Sequence, residues 1–253
     1  MKTINLRKIA NAGFITAVLL VIGTSCNNDD PWNDFERGSE MTAEDNGLIF
    51  KQDFTVGQGG WEAIFAEYPK SDKAFYELKS GKSQLPAPLD QNKTAFMLSG
   101  NNHSDALQMF VAKQFTGLDP AAGYSVKVKV ELASKYPDGS VGIGGSPANS
   151  VHLVAHICRG GYQLDPGDDK TNVQLKFNKN SENGYDYLEL GDIAIPADKN
   201  EYQLIQRECV SENIVKADEA GRIWAVVGTW SGFEGITTLY YTNIQIKFTK
   251  VQS

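Results

Sequence analysis

Over residues 124–132, apolar and polar residues alternate without a break. Val126, Val128, Val130 and Leu132 have one parity; Lys127, Lys129 and Glu131 have the other. Side chains of an extended chain point to opposite faces in turn, so this period of two predicts a half-buried antiparallel strand. Val151–Cys158 carries apolar residues at both parities and predicts a strand inside a sheet. Further strands are predicted over Asn172–Phe177 and over residues 96–99, 187–195, 202–209, 223–227 and 237–248. Turn residues separate them: Asp119-Pro120, Pro137-Asp138-Gly139, Asp165-Pro166-Gly167, Asn183-Gly184 and Glu219-Ala220-Gly221. Neither a helical period nor an internal repeat accompanies them. Many short strands joined by Gly, Pro, Asn and Asp turns predict an all-β, antiparallel sandwich or barrel.

One apolar run falls outside this pattern. Residues 12–22 follow a basic start at Lys2, Arg7 and Lys8 and precede Gly23-Thr24-Ser25-Cys26. Basic start, short apolar stretch and small residues predict a secretory signal. The run is shorter than the roughly 20 apolar residues a bilayer span needs. Cys26 stands at a lipobox-like cleavage site and is the predicted lipidated first residue of the mature chain. Asn27-Asn28-Asp29-Asp30 resembles the surface-export signal of Bacteroidetes lipoproteins. Residues 31–44 are polar and aperiodic and read as a tether. The expected organisation is a signal over 1–25, a lipidated cysteine with its tether over 26–44, and one β domain over 45–253. The expected location is the outer membrane or cell surface, held by acyl chains alone.

Charge narrows the partners. The full chain of 253 residues has a formal net charge of −7, and the signal carries three positive and no negative residues, so the remainder is at −10. Polyanion binding needs clustered Lys and Arg, so nucleic acid is set aside. Besides Cys26 the chain has only Cys158 and Cys209. In an exported compartment these thiols can pair; the alternative is two separate cysteines acting as small hydrophobes.

The order of signals carries a resemblance. Asp53-Phe54 and Gly60-Trp61 come early, Leu118-Asp119-Pro120 leads to Tyr124 and the alternating strand, and Tyr241-Thr242-Asn243-Ile244 comes late. This layout resembles the jelly-roll, galactose-binding-like carbohydrate-binding modules. Three stretches, around Leu98–Asp105, Val141–Pro147 and Val227–Tyr241, also resemble an uncharacterised family of secreted bacterial proteins, which implies membership and no activity. The module resemblance implies a jelly roll and a structural calcium between the first and last strands. Asp53 and Asn243 are the candidate ligands, with Thr242 standing where the modules have an aspartate.

Several chemistries fail on their residues. His152 and His156 on a strand lie about 13 Å apart, too far to share one zinc. Gly144-Gly145-Ser146 is followed by Pro147, which lacks the N–H that a serine-nucleophile turn uses for its oxyanion. The paired-acid strand motif of jelly-roll glucanases is absent. Asp165, Asp168 and Asp169 make an acidic loop without EF-hand spacing.

What remains is a ligand rim. Asn101, Asn102, His103 and Asp105 follow a strand and supply amide, imidazole and carboxylate groups suited to sugar hydroxyls. Trp230, Phe233 and Glu234 sit in a glycine-rich loop, and Trp61 is a third contributor. A pyranose has an apolar face and a polar edge, so it requires rings beside polar groups. The expected function is non-catalytic glycan binding by a surface lipoprotein, with no cofactor beyond the calcium. The alternatives are an accessory subunit with a protein partner in the outer membrane and, third, a hydrolase using His103, Asp105 and Glu234.

Overall fold

The computed structural model describes residues 37–168, 171–179 and 182–251. The predicted signal, Cys26, Asp169 and the tether before residue 37 lie outside them. In chain order the strands are β1 (Ser39–Glu44), β2 (Gly47–Asp53), β3 (Glu62–Ala66), β4 (Tyr68–Pro69), β5 (Lys79–Gln84), β6 (Thr94–Asn101), β7 (Gln108–Phe115), β8 (Tyr124–Ser134) and β9 (Tyr136–Pro137). They continue with β10 (Val151–Cys158), β11 (Tyr162–Asp165), β12 (Asn172–Phe177), β13 (Tyr185–Asp192), β14 (Ala194–Ile195), β15 (Gln203–Val210), β16 (Ile223–Ser231) and β17 (Ile236–Lys250). Among the described residues the only helical element is a single 3-10 turn at Lys70–Asp72.

Two antiparallel sheets make the sandwich. The first has seven strands around β17, which pairs β6 and β2 along one edge and β8 along the other; β5, β1 and β15 flank these. The second has five, in the order β13-β10-β16-β7-β3. The chain is thus an all-β sandwich, as the alternation predicts, with the jelly-roll layout that the resemblance implies. Strand β10 lies between β13 and β16, the interior position that its two-sided apolar pattern requires.

The core lies between the sheets. Val126, Val128, Val130 and Leu132 of β8 face Val151, Leu153, Ala155 and Ile157 of β10 within one cluster. On the opposite parity of β8, Lys127 pairs with Glu208 at 2.7 Å in solvent. Tyr124 is buried, and its hydroxyl accepts the Asp119 amide at 2.8 Å, which closes the turn entering β8. A buried hydroxyl with a partner avoids the desolvation cost of an unpaired one.

One expectation changes, and one open alternative is decided. Residues 39–44, assigned to the tether, form β1 on the edge of the first sheet. Their side chains are almost all exposed, so backbone pairing alone holds them and no burial pattern marks them. Strand β5, equally exposed, and strand β7, buried at successive residues, likewise carry no alternation. Cys158 and Cys209 are unpaired: Cys158 lies in the second sheet and Cys209 in the first. Burial pushes the Cys158 thiol up to about 12, so it behaves as a small hydrophobe.

The parity of β8 predicts a contrast. Leu132→Ala is expected to cost about 2–5 kcal/mol in chemical denaturation, whereas Lys129→Ala, on the solvent face, is expected within about 0.5 kcal/mol of wild type.

Candidate functional site

Three loops meet at one end of the sandwich: the one after β6, the one between β9 and β10, and the one between β16 and β17. Asn102 joins two of them. It is 1 % exposed. Its Nδ2 donates to Ser231 O and Phe233 O, both at 2.8 Å, and its Oδ1 accepts the amides of Ser104 at 3.1 Å and Leu107 at 3.4 Å. Its backbone N–H donates to Gly235 O at 3.0 Å. Asn102 is therefore the joint of the rim, not a ligand group as expected. Its amide is saturated by backbone, which is what permits its burial.

The other rim residues divide. Asn101 Nδ2 donates to Glu77 Oε1 at 3.0 Å. The His103 ring is exposed but stacks on Phe75 at 3.8 Å and donates through Nε2 to Phe75 O at 3.2 Å. Asp105, at φ 57°, and Glu234 come together against Gly144. A Cβ on Gly144 would lie 2.5 Å from Asp105 Oδ1 and 3.0 Å from Glu234 Cγ, so that position requires glycine. The Glu234 amide donates to Ile143 O at 2.9 Å and ties the third loop in.

Two predicted rings are not rim platforms. Phe233 is half-buried, with its ring clasped between Gly142 and Gly235, where a Cβ would come within 2.5 and 2.6 Å of it. Trp61 is 3 % exposed, edge-on to Phe54 and Phe115 in the main core. It precedes β3 near the Lys113 end of β7, whereas Trp230 pairs with Gln108 at the start of β7.

Trp230 does present its ring. It lies on the outer face of the second sheet, half-buried, beside His152 of β10. The two rings are parallel at 4.1 Å and 11°. Glu189 Oε1 stands 3.5 Å from His152 Nδ1, and Tyr187 is exposed on the same face. His152, Glu189, Tyr187 and Gln108 are additions to the sequence-predicted set. Gln108 lies on β7, which carries no alternation, and the neighbour relations across the sheet leave no mark on any single strand.

The rest of this outer face is covered. Ile64, Phe110, Ala112, Val154 and Val226 form a second small core under the β11–β12 hairpin, which lays Tyr162, Leu175 and Phe177 on it. Trp224 is half-buried here against Tyr162. Tyr162 donates its hydroxyl to Glu62. His156 stacks on Phe177 at 4.2 Å, and its Nδ1 is bonded to Tyr185 OH at 2.9 Å.

The calcium pair is adjacent without forming a cage. Asp53 and Asn243 are register partners on β2 and β17. Asp53 Oδ1 accepts from Thr55 N at 2.8 Å and Thr55 Oγ1 at 2.6 Å, and so serves its own turn. Among the described residues no three His, Cys, Asp or Glu side chains converge as a metal site. In the acidic loop, the Asp165 carboxylate is bonded to Lys176 Nζ at 2.6 Å, and that bond lowers its pKa.

No protein-family model matches the chain, and no curated protein does. Several solved structures are similar to it at low identity. A carbohydrate-binding module, TmCBM61, in complex with beta-1,4-galactotriose is 14 % identical, with a TM-score of 0.33 over 74 % of this chain and 86 % of that one. The mannan-recognising module TmCBM27 is 13 % identical, with a TM-score of 0.32 over 75 % and 99 %. The cleaved adhesin domain K1 of Lys-gingipain from Porphyromonas gingivalis W83 is 10 % identical, with a TM-score of 0.34 over 82 % and 99 %.

The aromatic cage of His156 generates a pH prediction. Burial, with Lys179 nearby, pulls its pKa down to about 3. In the unfolded chain histidine titrates near 6.5, so on acidification the unfolded state takes the proton first. Stability is then full above about pH 6.5 and falls as pH drops toward 3. Denaturant titrations at pH 7 and pH 5 are expected to show wild type losing on the order of 1–2 kcal/mol more than His156→Phe.

Proposed function

We propose that the protein is a non-catalytic glycan-binding lipoprotein of the cell surface. The observation that carries the binding site is the convergence at one end of the sandwich. The Asn102 joint holds the loop in which Glu234 Cγ and Asp105 Oδ1 meet at Gly144, next to the strand end that bears Trp230 and its His152 partner. An indole beside carboxylates and an imidazole offers a pyranose both an apolar face and hydrogen-bond partners. The N-terminal run ending at Cys26 supports the lipid anchor. A hydrolase reading is weaker, because Asp105 is exposed and Glu234 only half-buried, and neither sits in the apolar pocket that a general acid uses.

A second reading has its own observation. Val141 is 93 % exposed, Ile143 72 % and Ile236 54 %, all near the same rim. Such residues suit an accessory subunit that docks a protein partner in the outer membrane. Co-purification of a stoichiometric protein with wild type, but not with Val141→Ser/Ile143→Ser, would favour it.

Affinity electrophoresis against soluble polysaccharides tests the first reading. At least one polysaccharide is expected to retard the wild type, and Trp230→Ala is expected to weaken that interaction about tenfold, the equivalent of ~1.4 kcal/mol. Folded protein that no polysaccharide retards would remove the reading. The anchor is tested separately: Cys26→Ser is expected to abolish labelling by a palmitate analogue and shift the protein from the membrane to the soluble fraction, and an unchanged membrane fraction would overturn it.

A further inference from the structure

Strand β15 ends the first sheet. Among the described strands it pairs only with β8, and its other side is an open edge. An open edge is a template for a further strand, and proteins usually blunt it with lysine, glycine, proline or a bulge. The edge strand β5 carries Lys79, Lys82 and Gly81, and a register shift interrupts the pairing of the edge strand β13. Strand β15 has eight residues in unbroken register and none of these devices. Its two charged side chains are engaged within the molecule. Glu208 is paired with Lys127, and the Arg207 guanidinium folds inward, where Nη2 donates to Asp192 Oδ1 at 3.3 Å and to Ala194 O at 2.8 Å.

The backbone groups on the open side can be identified. Ser211 N donates to Val126 O at 2.7 Å, so the Ser211 backbone aims at β8. Antiparallel ladders alternate, so Leu204, Gln206, Glu208 and Val210 aim their N–H and C=O groups away from β8. The side chains of the same residues are exposed, Leu204 at 47 % and Val210 at 51 %. Gln206 O accepts Arg207 Nη1 at 3.1 Å and Val210 O accepts the Cys209 thiol at 3.5 Å; each carbonyl keeps a second lone pair. This edge is its own complement. For a second copy running antiparallel about a two-fold axis at Arg207, Leu204 falls opposite the partner's Val210, and Gln206 opposite the partner's Glu208. Apolar meets apolar, amide meets carboxylate, and each outward N–H meets an outward C=O. Moving the axis by one residue puts Leu204 opposite a glutamate instead, Glu208 or Glu212. We propose that two copies of this chain pair through β15 and join their first sheets into one continuous antiparallel sheet. Such an isologous contact uses the same patch on both copies, so it closes at the dimer. The seam contains no rim residue, and its failure leaves the glycan reading untouched.

Sedimentation of the full chain tests the seam, with Cys26→Ser to keep it unacylated and with reductant present. The sample is expected to show a monomer–dimer equilibrium that moves toward dimer as concentration rises. Adding Leu204→Lys/Val210→Lys changes only exposed side chains and sets like charges opposite each other at both ends of the seam, so it is expected to weaken the dimer about tenfold or more. Residue-resolved amide exchange reads the register. The amides of Leu204, Gln206, Glu208 and Val210 are expected to slow as concentration rises, whereas that of Arg207, which aims at β8, is expected to be slow throughout. A chain that stays monomeric up to millimolar concentration would overturn the proposal. So would a dimer in which the outward amides exchange at the monomer's rate, or a lysine variant that dimerises as well as its parent. The measurements on the parent chain stand even if the lysine variant fails to fold.

Discussion

One displaced residue in β17 governs the sandwich. The first half of the strand pairs with β6 and the second half with β2, and the register against β8 shifts between Tyr241 and Asn243. Thr242 is the extra residue. Before it, Leu239 and Tyr241 face the core; after it, Ile244, Ile246 and Phe248 do. A strand alternates with period two, so without the bulge one half would turn its apolar set to solvent. The bulge is itself satisfied: Thr242 O accepts the Phe54 amide at 2.9 Å, and Thr242 Oγ1 donates to Glu131 Oε1 at 2.8 Å. The long strand can therefore serve two neighbours on one edge and close the first sheet over the second.

The second sheet uses both its faces. On β10 and β16 the inward residues are small and branched, namely Val151, Leu153, Ala155 and Ile157 facing Ala225 and Val227. The outward residues include His152, His156, Trp224 and Trp230. The β11–β12 hairpin covers part of that outer face and makes it a second core, within which His156 is desolvated. At the uncovered end Trp230 and His152 are half-buried and stack on each other across the two strands.

The rim and the core show how one residue type serves different ends. Trp230 keeps a half-buried ring because its strand places it on an outer face near a loop. Trp61 has the same side chain, but the first sheet closes over it, and its chemistry faces inward. The glycines around the rim act by making room: Gly144 admits Asp105 and Glu234 to one spot, and Gly142 and Gly235 admit the ring of Phe233. Asn102 then locks the loops through backbone carbonyls, so the positions of the acids depend on a residue that has no exposed surface of its own.

Local pattern determined the strands. The alternation in β8, the two-sided apolar run of β10 and the turn residues between strands are properties of neighbours in sequence, and they sufficed for the sandwich. Edge strands β1 and β5 escaped because backbone pairing, which leaves no composition signal, holds them. Residues 101–105 and 230–234 were recognisable as polar, ring-bearing loops, and their adjacency in space is a fact of the fold. Which of these residues turn outward was decided only by tertiary structure: Asn102 went to the joint, Trp61 and Phe233 to packing, and His152 to the side of Trp230. Likewise Cys158 and Cys209 were assigned to different sheets, and no spacing along the chain could report that. Burial along a strand is set by its own parity, but a site is set by which strands become neighbours, and that depends on the whole chain closing at once.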